Sequence, residues 1–483
     1  MTAKLASCIL CIVTGLAGSA LAATTPAPST ASDPVPTPAK TRRPHVEIPA
    51  KLDPVVSDPR FELVLHPSTV LMTGDGRQPY LFVSSKGTLF CQAQLSLPPF
   101  NTKGKQVYHT RINSVISRDG GKTWTPWTRK KDHDDVFIEG GMVERSDGTI
   151  LMFDTFIMQS PVKPDHGVGE LWKSRDDLQT VQGFNETRPQ TTEMPWEKEE
   201  VPEKTYEVDL YLPGLKWSGS TNDFGKAHSS ARAHRSLIEL PNGDLLLLVY
   251  TRFNGDTAPA SYMPTMLKSR VIVVRSKDGG ATWAYLSTVG VDAGVGTEGF
   301  GEPVFVRVSQ GKHAGRLICL MRTGRDMYRS NSDDQGVTWS RPMPEKLPGI
   351  DLYDTDKWEH FFADKKAPGY YPSDEMIGAA VDPDLIEMKD GTLVCAVGMR
   401  VPGRKYNDNW RVPQNGNYLA FSTDGGDTWS HVVQFRSGAP TTHYIAVREI
   451  KPDLLYVVYD DSAWNMHGNT MGFQLEVKRS DRK

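Results

Sequence analysis

Cysteine is scarce in this chain, with five residues among 483, and Cys8 and Cys11 lie in the apolar N-terminal stretch. The other three, Cys91, Cys319 and Cys395, occupy the same place in the similar segments "GTLFCQA", "GRLICLM" and "GTLVCAV". Equivalent places in separate repeats lie too far apart for disulfide geometry. We therefore expect three buried thiols that pack as small apolar residues.

Several other features are missing. The 55 Lys and Arg residues are balanced by 58 Asp and Glu residues, so the chain has no basic footprint for nucleic acid. No segment has metal-ligand spacing, and we expect no metal or other cofactor. No amphipathic helical period separates the apolar runs, which excludes a parallel α/β sheet.

The N-terminus has the pattern of an export signal. Lys4 precedes an apolar run that ends in "ALAA", which predicts cleavage near Ala22 or Ala23. We interpret residues 1–22 as the signal peptide, residues 23–59 as a Pro/Ala/Thr-rich linker, and residues 60–483 as the folded domain. The apolar run is too short for a stable membrane span, so we expect a secreted or periplasmic protein.

Two motifs alternate along the rest of the chain. The octapeptide "SRDGGKTW" starts at Ser117, returns in similar form at Ser276, Ser332 and Ser422, and has a degenerate copy at Ser174. Six apolar hairpins, such as "DGTILMFD" and "NGDLLLLVY", lie between these turns. Each hairpin, followed by a strand, the octapeptide and another strand, makes a unit of four antiparallel strands. Six units predict an all-β, six-bladed β-propeller, which "RFELVLHP" closes by pairing with "GFQLEVKR".

The expected topology also predicts where a site lies. The first strand of each unit starts, and the second ends, on the face opposite the octapeptide turns. Charged side chains collect at those positions, and an arginine cluster there favours a carboxylate-bearing ligand such as an acidic glycan. The candidates are Arg77, Gln92, Gln94, Glu139, Asp154, His234, Arg235, Arg252, Glu302, Arg322, Asp382, Asp384, Arg400, His443, Tyr444, Asp460 and Asp461.

The alternation of octapeptide and hairpin resembles the sialidase (neuraminidase) superfamily, whose propellers carry such Asp-box (BNR) repeats. The resemblance covers most of the chain and implies a glycosidase. "GRQP" matches the family's Arg-x-Pro with Arg77, and later strands match with Glu302, Arg322 and Tyr444. The resemblance implies that the arginines hold a carboxylate, and that Tyr444 is the nucleophile with Glu302 as its base. Candidates for the third arginine are Arg400 and Arg235, and His443 is a further candidate substrate contact.

One family feature is missing. The family's acid/base Asp lies after the second strand of unit one, where "QAQLSLPPFNTKGKQVYHTRINSVI" contains neither Asp nor Glu. His109 is the one residue there with a near-neutral proton, and the acidic run at residues 132–135 or Asp154 could replace the acid.

Three functions remain open. The first is an exported, exo-acting hydrolase of a terminal acidic, sialic-acid-like sugar. The second is a propeller polysaccharide lyase, or an unconventional glycosidase, acting beside a uronic acid, which fits a histidine-rich rim: His109, His228, His234 and His443. The third is a non-catalytic carbohydrate-binding propeller, with Tyr370, Tyr371 and Trp464 as stacking residues. The oligomeric state stays open.

Overall fold

The computed structural model describes residues 44–74, 76–95, 111–127, 140–183, 207–222, 227, 230–261, 263–350, 379–400, 413–462 and 466–481. In these ranges the regular elements are β-strands and one 3₁₀ turn at Gly311–His313. Within the same ranges, no helix has the length and apolar character needed to cross a membrane.

Twenty-eight strands are numbered in chain order over the described residues. They are β1 (Asp53–Val56), β2 (Phe61–Leu65), β3 (Thr69–Met72), β4 (Gly76–Val83), β5 (Leu89–Leu95), β6 (Arg111–Ser117), β7 (Thr125–Pro126), β8 (Gly141–Glu144), β9 (Ile150–Phe153), β10 (Phe156–Gln159), β11 (His166–Ser174), β12 (Gln182–Gly183), β13 (Glu207–Tyr211), β14 (Ser230–Glu239), β15 (Leu245–Thr251), β16 (Arg270–Ser276), β17 (Thr282–Gly290), β18 (Gly301–Arg307), β19 (Leu317–Arg322), β20 (Met327–Ser332), β21 (Met343–Glu345), β22 (Ala379–Glu387), β23 (Leu393–Arg400), β24 (Gly416–Ser422), β25 (His431–Ser437), β26 (Ile445–Lys451), β27 (Leu454–Asp460) and β28 (Thr470–Arg479).

Four antiparallel sheets are separate blades. Strands β4 to β7 form unit one and β18 to β21 form unit four. Unit five contains β22 to β25 with β1 on its outer edge, and unit six contains β26 to β28 with β2 and β3. Strand β2 pairs with β28 from Phe61 opposite Arg479 to Leu65 opposite Leu475, so the predicted outer strand of unit six is confirmed.

Units two and three share one ten-stranded sheet. Its pairing path runs β10-β14-β15-β16-β17-β13-β11 and returns to β10, and β9, β8 and β12 extend from β11. The prediction of an all-β, propeller-like array is therefore confirmed, but six separate blades do not form: the described residues make four blades and a barrel-like sheet. The reason is that β10 pairs with β14 of unit three and β13 pairs in parallel with β17, which joins two units that the hairpin pattern treats as independent.

Six large hydrophobic clusters nevertheless follow the six units. Each cluster packs residues of one unit against the next, and one of them joins unit six to unit one. The run "LLLLVY" of β15 shows why: Leu245 and Leu247 face unit two, while Leu246 and Leu248 face unit four. Strands buried on both faces need such continuous apolar runs. The three cysteines lie in these clusters as buried free thiols, as predicted.

The octapeptides are turns that stabilise themselves. In the copy at Ser276, the hydroxyl donates to Asp278 Oδ1 at 2.8 Å and accepts from the Gly280 amide at 2.8 Å. The Thr282 hydroxyl donates to Asp278 Oδ2 at 2.6 Å. All five copies, including the degenerate one at Ser174, make this set of bonds. The repeated motif therefore supports the fold, as its recurrence indicated.

A reciprocal exchange at one turn position tests this account. Gln335 has φ 61 at the place where Gly120 has φ 76 in another copy. A left-handed conformation costs a residue with Cβ about 1 kcal/mol. We expect Gln335→Gly to raise, and Gly120→Gln to lower, the free energy of unfolding by about 1 kcal/mol, measured by urea denaturation. Shifts of the same sign in both variants would contradict the account.

Candidate active site

The inner strands share a bulge at the end where the site was expected. Pairing with the second strand slips between Arg77 and Tyr80 in unit one, and at the matching place in units three, four and five. The residues with positive φ inside these bulges are Gln78, Arg235, Glu302 and Asp382, and His443 just before β26 also has positive φ. Bulges re-aim side chains, and strained backbone of this kind collects at functional sites.

Tyr444, Glu302 and Arg322 meet at this face. The Tyr444 hydroxyl donates to Glu302 Oε1 at 2.6 Å. Arg322 Nη1 donates to the same Glu302 oxygen at 2.6 Å and to the Tyr444 oxygen at 3.2 Å. Glu302 and Arg322 belong to unit four, and Tyr444 directly precedes the first strand of unit six. The structure brings the three residues together, as the resemblance to the sialidase superfamily implied.

The pKa shifts of this trio keep the proton on the phenol and the carboxylate ionised before any reaction. Burial by itself raises the pKa of Glu302, but the charge and hydrogen bond of Arg322 lower it to about 2. Burial, followed by the Glu302 charge, raises the pKa of Tyr444 well above its usual value. At neutral pH the pair is therefore a neutral phenol that donates to an ionised carboxylate.

Arg400 and His443 lie beside the trio. The Arg400 guanidinium makes one hydrogen bond to the described residues, from Nη2 to the Thr442 carbonyl at 3.3 Å. Burial and the Arg322 charge lower the pKa of Arg400, so the two guanidinium groups are close enough to repel each other. His443 Nε2 lies 3.1 Å from Asn415 Oδ1. Burial and the Arg400 charge hold the pKa of His443 well below its usual value, which leaves the imidazole neutral.

Arg235 has a different placement. Its side chain is 0 % exposed and pairs with Asp382 at 2.5 Å. It donates to the Ile445 carbonyl at 2.5 Å and to the Pro79 carbonyl at 2.8 Å. The neighbouring His234 lies 3.3 Å from Asp382. This burial favours a framework role for Arg235 over the substrate contact that the sequence suggested.

Arg77 and Asp154 also make framework contacts. Arg77 is 1 % exposed, and its guanidinium donates to Ser462 Oγ at 3.3 Å and to the Met466 carbonyl. Asp154 accepts a hydrogen bond from the Phe156 amide at 2.8 Å, where β9 ends and β10 begins. His109, Glu139, His228 and the acidic run at residues 132–135 lie outside the described residues, as do Tyr370, Tyr371 and Trp464.

Other predicted rim residues hold neighbouring backbone in place. Asp384 accepts from the Val447 amide at 2.8 Å, and Asp460 from the Thr442 amide at 2.6 Å. Burial raises the pKa of Asp460 to about 6. Asp461 lies 2.7 Å from His45. Gln92 donates to Ser114 Oγ at 3.0 Å, and Arg252 to the Leu267 carbonyl at 2.6 Å.

The sequence analysis missed Glu298. This carboxylate lies 3.3 Å from Arg322 Nη2, on the far side of the guanidinium from Glu302. It precedes β18 within "GVGTEGFGEP", and the glycine-rich run so close to Glu302 was the available signal. In the part of the chain that the structure describes, no cluster of three or more His, Cys, Asp or Glu residues could hold a metal ion.

Comparison with known proteins agrees with this architecture. The family described as "BNR repeat-like domain" matches residues 191–438, and "BNR/Asp-box repeat" matches residues 115–126. No curated protein matches the chain. A protein of unknown function from Dyadobacter fermentans has a TM-score of 0.56 at 16% identity, over 87% of this chain and 100% of that one. This similarity shows a shared fold.

Two enzymes give weaker structural similarities. An alpha-L-arabinanase from Penicillium chrysogenum has a TM-score of 0.47 at 12% identity, covering 86% of this chain and 98% of that one. A sialidase from Streptococcus pneumoniae has a TM-score of 0.45 at 13% identity, covering 85% and 70%.

The buried Arg235–Asp382 pair yields a stability prediction. Asp382→Asn leaves the Arg235 charge buried without its counter-ion, so we expect the free energy of unfolding to fall by about 3–5 kcal/mol. Asp333→Asn is the control, because Asp333 is 70% exposed and pairs with Arg316 at 2.8 Å. That variant should lose under about 1 kcal/mol in the same urea titration. Equal losses of unfolding free energy in the two variants would show that burial does not determine the cost of removing the carboxylate charge.

The lowered pKa of Glu302 gives a second prediction. A carboxyl whose folded pKa falls from 4.5 to about 2 stabilises the fold above pH 4.5, and this contribution is lost as the pH drops towards 2. Between about pH 5 and about pH 2, the wild type should lose about 2–3 kcal/mol more unfolding free energy than Glu302→Gln. Parallel pH profiles for the two proteins would contradict the ionisation described here.

Proposed function

Because the chain belongs to the family of BNR repeat-like domains, we propose that it is a glycoside hydrolase whose reacting pair is Tyr444 and Glu302. The observation that carries the proposal is the short contact between the phenol and an ionised carboxylate, 2.6 Å, with Arg322 bound to both groups. A family fold by itself does not decide function, so the assignment depends on this geometry.

The proposed reaction uses the trio in two steps. The Tyr444 oxygen attacks the anomeric carbon while its proton passes to Glu302 Oε1, and the bond to the leaving oxygen breaks. Water then attacks the anomeric carbon and the bond to the Tyr444 oxygen breaks. The water gives a proton to the group that protonated the leaving oxygen, and Glu302 returns its proton to the phenol oxygen. A neutral nucleophile activated by a carboxylate avoids repulsion of an anionic substrate, and tyrosine is a known exception among glycosidase nucleophiles. The proton for the leaving oxygen must come from another group, for which His109 remains a candidate.

We further propose that the substrate is a terminal acidic sugar of the sialic acid type, cleaved from the end of a glycan. Two guanidinium groups, Arg322 and Arg400, act on Tyr444, and Arg400 has a single hydrogen bond within the described residues. Guanidinium groups bind carboxylates with geometric specificity. His443, as a neutral neighbour of Arg400, adds polar surface without adding charge.

Two further points belong to the proposal. Residues 1–22 direct export, so that the enzyme is secreted or periplasmic. The linker between the signal and the propeller is shorter than the predicted residues 23–59, because β1 (Asp53–Val56) pairs with β25 on the outer edge of unit five.

A lyase acting beside a uronic acid is the second candidate. The observation that favours it is the neutral state of His443. A neutral imidazole can accept a proton from a carbon atom of the substrate. The products separate the two reactions: a lyase forms an unsaturated uronate that absorbs ultraviolet light, and a hydrolase does not. We expect release of reducing sugar from sialosides without a rise in ultraviolet absorbance, and an absorbance rise with uronate glycans would favour the lyase.

Substitution of the nucleophile tests the proposal directly. Tyr444→Phe removes one oxygen, so we expect turnover of a sialoside to fall by at least about 10³-fold while the unfolding midpoint is retained. Tyr456→Phe is the matched control: its hydroxyl donates to the Gly121 carbonyl at 3.2 Å, at the other end of the same hairpin. The control should keep wild-type turnover, and near-normal activity of Tyr444→Phe would refute the mechanism.

A further inference from the structure

Arg322 is shared between two carboxylates, Glu302 and Glu298. Its Nη1 atom binds Glu302 and Tyr444, and its Nη2 atom lies 3.3 Å from Glu298 Oε1. The mechanism above uses the first contact and gives no role to the second. Glu298 therefore contacts Nη2, which is an atom that a substrate carboxylate needs in order to bind Arg322.

The backbone that carries Glu298 is held from one side by a lysine. Lys268 Nζ donates to the carbonyls of Ala293 at 2.9 Å, Val295 at 3.2 Å and Gly296 at 2.8 Å. A single ammonium group thus holds three carbonyls within residues 293–296 of the connection between β17 and β18. Glu298 is not part of a freely moving surface loop.

The same backbone is held from the other side by unit four. The Thr323 carbonyl accepts from the Thr297 amide at 2.9 Å and from the Glu298 amide at 3.3 Å, and the Ser269 amide donates to the Glu298 carbonyl at 2.8 Å. A Cβ at Gly296 would come within 2.0 Å of the Thr323 carbonyl, so glycine is required for this approach. The Cα of Glu298 is therefore fixed at a place from which its carboxylate reaches Arg322.

Glu298 is also the outermost member of the cluster. Its side chain is 25% exposed, compared with 15% for Glu302 and 10% for Arg322. Ion pairs that reach solvent and have longer contacts contribute little free energy. The Glu298–Arg322 contact is consequently the longer and more exposed of the two ion pairs, and it is the one that an incoming ligand reaches first.

We propose that Glu298 is a specificity-determining residue that pairs with Arg322 and yields it to the carboxylate of the substrate. This inference rests on the proposed function, because it assumes an acidic sugar at Arg322. Glu298, Glu302, Arg322 and Arg400 carry no net charge together. A bound carboxylate adds one negative charge, so the ligand must compete with Glu298 and succeeds through contacts elsewhere, such as Arg400. Small anions without those contacts are excluded.

Binding of paired sugars tests the proposal without turnover. The probes are N-acetylneuraminic acid and glucuronic acid, each compared with its neutral carboxamide, titrated by calorimetry into the full chain. In Glu298→Gln the competing charge is gone, so at least one acid should bind about fivefold tighter or more, with its carboxamide unchanged. Glu239→Gln is the matched control, since Glu239 pairs with Arg145 at 3.1 Å through a similar glutamate–arginine contact, and it should alter neither affinity.

Kinetics separate this role from two others. With an acidic glycoside, Glu298→Gln should lower KM while kcat is retained. A lower kcat with unchanged KM, largest for poor leaving groups, would make Glu298 the proton donor and overturn the inference. Unchanged KM and kcat would assign it a structural role and also overturn the inference.

The proposed function fails in a different way. If neither the wild type nor Glu298→Gln binds either acid, the acidic substrate and this inference are both overturned. Turnover of neutral glycosides that disappears in Tyr444→Phe would then show that the reacting pair still stands. If the wild type cleaves an acidic glycoside and Glu298→Gln binds no tighter, the function holds and the inference alone is rejected.

Discussion

The buried ion pair between Arg235 and Asp382 is the interaction on which the ring depends. Arg235 belongs to unit three and Asp382 to unit five, and the same guanidinium donates to backbone carbonyls of units one and six. His234 adds unit four through a hydrogen bond to the Pro303 carbonyl at 3.1 Å. Burial raises the pKa of the Asp382 carboxyl, and the charge of Arg235 acts against this rise. Charges in a dry interior are tolerated only when such partners satisfy them.

This central pair also positions the chemistry. The carbonyls that it and His234 bind belong to Pro303 and Ile445, the residues directly after Glu302 and Tyr444. A residue with left-handed backbone lies at the start of each of the two strands: Glu302, with φ 40, in β18, and His443, with φ 80, just before β26. Strained conformations persist only where surrounding contacts over-determine them. The framework therefore maintains the 2.6 Å contact between phenol and carboxylate that the reaction needs.

Around that contact the charges are arranged in alternation. Glu302 and Glu298 lie on either side of Arg322, and Arg400 adds a second positive group beside Tyr444. The inner carboxylate is fixed by two short hydrogen bonds, whereas the outer one is partly exposed and more weakly held. In the proposed function, the contact between Tyr444 and Glu302 is retained when a ligand binds, and the contact between Glu298 and Arg322 is replaced. The same cluster would then serve both the reaction and the selection of the ligand.

The repeated strands, the octapeptide turns and the buried thiols followed from local patterns in the sequence, whereas the pairing of β2 with β28 followed from the need to close the ring of repeats. Alternating apolar runs and Gly-containing turns act over a few residues, so their outcome does not depend on distant contacts. The trio of Tyr444, Glu302 and Arg322 was predictable through motif resemblance for the same reason. Tertiary structure decided the rest: Arg235 became a core residue rather than a ligand contact, Glu298 reached Arg322, and β10 and β13 joined units two and three. Each of these outcomes is a contact between separate strands or units, and the way those strands assemble, rather than any local preference, selects which charged groups share one buried space.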